Sequence, residues 1–223
     1  MMSAPKSIRR MPQVSIAETI ANTIEGEIIS GKRTPGERLV ERQIAAHFRV
    51  SSIPVREALQ ILETRGLVIK RINRGCSVID LSAEEMAQMC ELRDWLEPKV
   101  IEWAACRRTE EGLAELRRRL QRLREAAGSG SFARFFAEDL EFHRCMWELA
   151  GNPQAARALM TVVGCLFACG LRNAAVDLRQ QYLKHESLYR SIAESRPADA
   201  TLLLADISAG FRGQLYRVAE VQK

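Results

Sequence analysis

Between Val14 and Lys32 apolar residues recur at helical steps, at Val14, Ala17, Ala21, Ile24 and Ile28, with polar residues between them. This spacing predicts an amphipathic helix stopped near Gly31. Residues 34–40 (TPGERLV) read as a turn, 41–48 (ERQIAAHF) as a short helix and 49–51 (RVS) as a tight connection. The next stretch, VSSIPVREALQILETRGLV over residues 50–68, sets a proline early in a helical pattern. Ser51 or Ser52 can cap that helix, and Pro54 is tolerated in its first turn, where amides have no intrahelical acceptor. Val55, Leu59 and Leu62 then form the buried stripe, while Ser51, Ser52 and Arg56 stay at the exposed N-terminal end. Leu67 and Ile69 alternate with Val68 and Lys70, the pattern breaks at Asn73-Arg74-Gly75, and it resumes with Cys76, Val78 and Ile79. Alternation around a glycine break predicts a β-hairpin with a basic tip. From Leu81 onward only helical periodicity remains, interrupted near Arg108, at 128–131 (GSGS), 151–153 (GNP), 173–176 and 195–197 (SRP). The pattern predicts a mainly α protein: a flexible tail over residues 1–13, short helices with a small hairpin over 14–80, and an all-α bundle over 81–223.

Composition changes this picture in three places. With 47% hydrophobic residues, a chain of 223 residues can build packed cores. It has no apolar run of membrane-spanning length, and its N-terminus carries basic residues without the apolar segment of a secretory signal, so a cytoplasmic location with no membrane partner is expected. The six cysteines form no Cys-x-x-Cys pair and fall in apolar helical contexts, where reduced cysteine acts as a small core residue. Cys165 and Cys169 are one helical turn apart, which leaves a metal or redox role as the lesser reading. Residues 1–80 hold thirteen Lys and Arg against eight Asp and Glu, whereas residues 81–223 hold twenty of each. All the excess positive charge is in the first third, where an anionic partner would be met.

Two short helices joined tightly, the second with polar and basic residues at its start, followed by a basic hairpin, form the pattern of a winged helix-turn-helix. Such a fold sets its second helix in the DNA major groove; a small helical domain with an ordinary charged face shares the same pattern. The residues narrow the choice. GEIISGKRTPGERLVERQIAAHFRVSSIPVREALQILETRGLV resembles the DNA-binding domain of the GntR family of bacterial transcription regulators. PGERL, the I-A-A helix, V-S-x-x-P-V-R-E-A-L and R-G-L-V stand in order, and the likeness covers residues 14–80. It implies operator DNA as partner, contacted through Arg42, through Ser51, Ser52, Ile53 and Arg56, and through the wing at Arg74 and Gly75. Arginines can meet phosphate or guanine, and a glycine lets wing backbone approach the minor groove. Where relatives usually read V-S-R-T-P, this chain has Ser52 and Ile53, and an isoleucine there can touch a thymine methyl; the operator sequence is left open.

The remainder, from about residue 81, resembles the all-helical ligand-sensing FCD domain of the FadR-like branch, through LRDWLEPKVIEWAA, AEDLEFHRCMWELAGNP and KHESLYRSIAESRPADA. Asp139 and His143 share a helical face with Phe132, Phe136, Met146 and Ala150, and His185 shares one with Leu178, Tyr182, Tyr189 and Ile192. Inward polar groups of this kind need a metal, a ligand or each other. The resemblance implies a metal held by Asp139, His143, His185 and a fourth histidine on the last helix, where spacing puts Ile207 within the stripe Ala200, Leu204, Ile207 and Phe211. The only other histidine is His47, in the first domain, which leaves either a three-ligand site for a divalent ion such as Zn, Ni or Mn with open positions, or no metal. Arg93 is placed by the resemblance near a small carboxylate effector; an ion pair with Asp94 or Glu97 accounts for it equally. The reading is a ligand-responsive transcription regulator, a repressor acting as a homodimer on a palindromic operator, and not an enzyme. Two other classes fit parts of the pattern: a metal-dependent hydrolase built on Asp139, His143 and His185, and a DNA binder that senses nothing.

Overall fold

The computed structural model describes residues 15–71, 75–170 and 176–221. The tail expected over residues 1–13, the hairpin tip with Arg74, and most of the break expected at 173–176 lie outside these residues. Among the described residues no helix is long and apolar enough to cross a membrane.

The N-terminal core forms where the stripes predicted above meet. Helix α1 (Ile16–Ile29) starts at Ser15, whose hydroxyl accepts from the Glu18 amide, and buries Ala17, Ile20, Ala21, Ile24 and Ile28. Helix α2 (Glu41–Phe48) ends on Arg49 in the left-handed conformation and turns at once into α3 (Ser52–Thr64). Pro54 is the third residue of α3, and Val55, Ala58, Leu59 and Leu62 face the core. Ser51 holds the cap position without a side-chain capping bond, so the proline's fixed φ and the buried stripe set the start of the helix.

Residues 34–40 are not wholly a turn. Arg38–Leu39 form strand β1, which pairs antiparallel with β3 (Gly75–Val78), itself paired antiparallel with β2 (Val68–Arg71). The order β1-β3-β2 places Cys76 opposite both Leu39 and Lys70. The predicted alternation also shifts by one: Val68 is buried and Ile69 half-buried, because Leu67 enters the core directly from the turn at Gly66, before the pleat begins.

Among the described residues six helices follow: α4 (Ala83–Arg107), α5 (Glu110–Ser129), α6 (Phe132–Leu149), α7 (Pro153–Gly170), α8 (Leu178–Ala193) and α9 (Pro197–Val221). A capping box between Ser82 and Glu85 starts α4, and Gly130, in the left-handed region, ends α5. Their apolar faces make a second core around Trp147, Phe135, Phe142, Leu116 and Leu123. Phe132, assigned from periodicity to the inward stripe of α6, is instead 37% exposed, since it is the first residue of the helix and overhangs the bundle. Cys76, Cys90, Cys145 and Cys165 are buried as core thiols, burial pushing Cys76 and Cys165 up to about 11 and Cys145 up to about 12, whereas Cys169 is half-buried and Cys106, near the end of α4, is exposed rather than in the core.

Helix α7 joins the two cores. Ala168 packs into the N-terminal core, and Thr161 Oγ1 donates to the Thr64 carbonyl at 2.8 Å. The approach is at backbone distance, because a Cβ on Gly164 would lie 1.9 Å from the Arg65 carbonyl oxygen. A Cβ on Gly66 would lie 2.2 Å from that of Thr161, and Gly66 also needs its φ of +72°.

Candidate functional site

Two helices of the bundle bring the inward polar residues together. Asp139 and His143, one turn apart on α6, face His185 of α8, and all three are buried. Asp139 Oδ1 is 2.6 Å from His185 Nε2 and 3.8 Å from His143 Nε2, and the two Nε2 atoms are 3.4 Å apart. The three donor atoms lie within 4.8 Å of one another. Despite its closeness to His185, Asp139 Oδ1 makes no directed hydrogen bond, the arrangement expected of atoms aimed at a point between them.

The far side of each imidazole decides what the near side offers. His143 Nδ1 lies 2.9 Å from Glu97 Oε1, and His185 Nδ1 lies 2.8 Å from the Gln181 carbonyl. An ionised carboxylate and a carbonyl only accept, so each Nδ1 carries the hydrogen, and each neutral ring turns a bare Nε2 lone pair toward Asp139. Three acceptors facing one another in a dry interior need a cation among them. Without a metal the cation is a proton: burial disfavours charge on His185 and Asp139, but their mutual attraction more than offsets it, holding the histidine above its ordinary range and the aspartate below.

Arg93 is inward, as expected, and it is also ion-paired. Its Nε donates to Glu97 Oε2 at 2.6 Å, its guanidinium lies 5.1 Å over the Phe211 ring, and its buried NH1 has no hydrogen-bond partner. Asp94, the other partner considered, pairs with Arg212. Glu97 is fully buried and accepts three bonds, the third from Trp147 Nε1 at 2.8 Å. Burial alone would raise its carboxyl; Arg93 and His143 reverse this and hold it well below the usual carboxylate range. Sequence reasoning met Glu97 only as an ion-pair partner. The signal for more was its period: Cys90, Arg93, Glu97, Val100, Ile101 and Ala104 lie on one buried face of α4.

The donor set suits a divalent transition metal. Imidazole nitrogens and a carboxylate oxygen are its usual ligands, second acceptors already orient both rings, and Asp139 Oδ1 is buried without a directed bond. Ile207, at the spacing-matched position, is a buried core residue of α9 and offers no fourth donor.

The other candidate face lies at the N-terminal end of α3. Arg42, Ser51, Ser52, Arg56 and Gly75 are exposed there, and Ile53 is 67% exposed. Arg56 Nε bonds Glu41 at 2.8 Å, which holds its guanidinium over the start of α2. Beside Gly75 sits a residue the sequence reading passed over, Arg38, whose guanidinium nitrogens lie 3.6 Å from where a Gly75 Cβ would be.

Both halves have relatives. Residues 16–78 match the bacterial regulatory proteins of the gntR family, and residues 88–208 match the FCD domain. The chain is 35% identical over 182 residues to the Nta operon transcriptional regulator of Aminobacter aminovorans, covering 79% of this chain and 84% of that one. It is 29% identical over 220 residues to the HTH-type transcriptional repressor NanR of Cronobacter sakazakii, covering 87% and 84%. Among solved structures, E. coli McbR/YncC has the same fold, with a TM-score of 0.76 over 92% of this chain and 99% of that one at 21% identity. The winged helix-turn-helix and the helical bundle behind it are thus matched in order, and the chain belongs to the GntR family of transcription regulators, with an FCD domain as its C-terminal part.

Proposed function

We propose that the chain is a repressor that binds a two-fold symmetric operator as a homodimer and changes its hold on DNA when a small carboxylate reaches a metal held by Asp139, His143 and His185. Residues 14–80 act as the reader and 81–223 as the sensor. The observation that carries the reading is the convergence of three lone pairs in a dry interior, with Arg93, whose NH1 is buried without a hydrogen-bond partner, joined to them through Glu97. A metal there has open coordination positions that an effector carboxylate can fill, while Arg93 can neutralise a second acidic group. Sensing is favoured over hydrolysis because Glu97, the carboxylate bonded to His143, is occupied by three donors and is no free base.

Arg42, Ser51, Ser52, Ile53, Arg56, Arg74 and Gly75 meet DNA in this reading, supported by the exposure of the α3 start and of the wing base. A lone winged helix reaches few bases, so specificity calls for two. On α4 the exposed Trp95, at 85%, and Leu92 beside it favour the sensor as the surface between copies. The test is operator binding by fluorescence anisotropy with the as-purified, chelator-treated and Zn²⁺-, Ni²⁺- or Mn²⁺-reloaded protein, titrated with small mono- and dicarboxylic acids, alongside elemental analysis and native mass. Release that needs both metal and acid supports the reading. Operator affinity indifferent to both, or a strictly monomeric protein on DNA, overturns it.

A further inference from the structure

The structure assigns Glu97 a role of its own: we infer that it is a positioning residue that fixes the tautomer of His143, so that Nε2 is a ligand, and holds Arg93 by one edge, so that NH1 stays free. The inference rests on the metal reading of Asp139, His143 and His185. Its basis is the division of labour at one buried carboxylate. Oε1 receives His143 Nδ1 at 2.9 Å and Trp147 Nε1 at 2.8 Å, while Oε2 receives Arg93 Nε at 2.6 Å. The indole and the guanidinium can only donate, so neither can exchange roles with the acceptor between them. The imidazole is the one partner with a choice, and a carboxylate gives it none. Its Nδ1 must carry the hydrogen, and its bare nitrogen then faces Asp139 and His185.

Replacing the carboxylate with an amide restores the choice. The side chain of Glu97→Gln has one accepting oxygen for three donors and an NH₂ that must itself find an acceptor. Of its three partners only His143, through Nδ1, can accept, which would drive the ring to its other tautomer, with Nε2 protonated and pointing toward Asp139 and His185. Glu97→Asp keeps the charge and both accepting oxygens but is one methylene too short to reach Arg93 and His143 together. It should restore the tautomer while loosening the arginine.

The chain has three histidines, which makes a long-range ¹H–¹⁵N spectrum of the imidazoles tractable for the metal-free protein. Near pH 8 the parent should show His143 protonated at Nδ1, with Glu97→Asp the same and Glu97→Gln carrying hydrogen on Nε2. Zn²⁺ affinity, read by competition with a chromophoric chelator, should fall roughly 10- to 100-fold in Glu97→Gln and less in Glu97→Asp. A parent with hydrogen on His143 Nε2, or a Glu97→Gln protein with the parent's tautomer and Zn²⁺ affinity, overturns the inference. A parent that binds no Zn²⁺ yet switches tautomer in Glu97→Gln upholds the role of Glu97 and sinks the metal reading instead. Should Glu97→Gln fail to fold, the tautomer in the parent and in Glu97→Asp decides.

Discussion

Gly164→Ala and Gly26→Ala are the same chemical change on two helices, and the structure gives them opposite signs. Gly26 lies in α1 with nothing within 4 Å of where an added methyl would stand, so alanine adds only helix propensity, about 1 kcal/mol. At this chain length that raises Tm by about 2–4 °C. Gly164 gains the same propensity, but its methyl would sit 1.9 Å from the Arg65 carbonyl oxygen, a backbone atom with no rotamer to yield. Ordinary contact requires the α7 backbone and the turn after α3 to part by about 1.5 Å. That separation stretches the Thr161–Thr64 hydrogen bond, worth about 1 kcal/mol, and opens the packing of Ala168 in the first core. Overpacking of this kind costs about 1–3 kcal/mol, which together with the lost bond outweighs the propensity gain. Gly164→Ala should therefore unfold several degrees below the parent by calorimetry and protect amides at the end of α3 less from hydrogen exchange. A Gly164→Ala protein that is as stable as Gly26→Ala would refute the close docking of α7 on the N-terminal domain.

Three further outcomes are expected. Arg42→Ala and Arg56→Ala should each weaken operator binding by about 1–3 kcal/mol where the arginine reads a base, and by less, with a shallower salt slope, where it meets phosphate; anisotropy titrations at several salt concentrations tell these apart. Glu25→Ala should cost about 1–3 kcal/mol in urea unfolding, because it removes the buried carboxylate that Arg65 of the N-terminal domain and Arg144 of the bundle both bond, leaving Arg65 to Glu18 and Asn22 and Arg144 to Glu141. In the metal-free protein, the stabilisation from His185 is fully present below its ordinary pKa of about 6.5 and is lost as pH rises through its raised folded value. That from Asp139 is present above its ordinary value of about 3.9 and is lost as pH falls through its lowered one. Melts from about pH 5 to 9 should thus fall more steeply above neutrality for the parent than for His185→Gln, and a parallel decline would contradict the pairing.

What the sequence disclosed follows the range of the forces involved. Helices α1 to α3 and the ends of the bundle helices were legible because caps, Pro54, Gly130 and three-to-four-residue apolar steps act within a few residues of chain. Asp139, His143 and His185 were legible as inward groups because each stands on an apolar stripe. Strand β1 was hidden, since two residues show no alternation and Arg38 and Leu39 become a strand only by pairing with Ser77 and Cys76. Glu97 was hidden for a similar reason. Its partners His143 and Trp147 are 46 and 50 residues away, and nothing local says which carboxylate on a buried face will meet which ring. The glycines at 66 and 164 carried no sign of their mutual approach, which belongs to the docking of one domain on the other.

That docking gives the Asp139–His143–His185 cluster two packed routes to α3, the helix proposed to meet DNA, and both end on one residue. Successive residues of a helix point about 100° apart, so α6 can turn His143 to the cluster and the next residue, Arg144, to Glu25 of α1. Glu25 in turn holds the Arg65 guanidinium at 2.5 Å. The second route starts at Arg93 over Phe211, passes to Phe167, stacked on it with ring centroids 5.1 Å apart, and reaches Gly164, one turn earlier on α7, against the Arg65 carbonyl. Arg65 is the C-cap of α3. It is gripped at its side chain by the first route and at its backbone by the second. Thirteen residues of helix separate this cap from Ser51, so the gripped end lies about 20 Å from the end proposed to meet DNA. Over such a lever a tilt of a few degrees at Arg65 moves Ser52, Ile53 and Arg56 by an ångström or so, about the tolerance of a hydrogen bond to a base edge. On the proposed function, sub-ångström shifts of α6 or α7 when an effector binds would then alter operator affinity without any change in the core of the N-terminal domain.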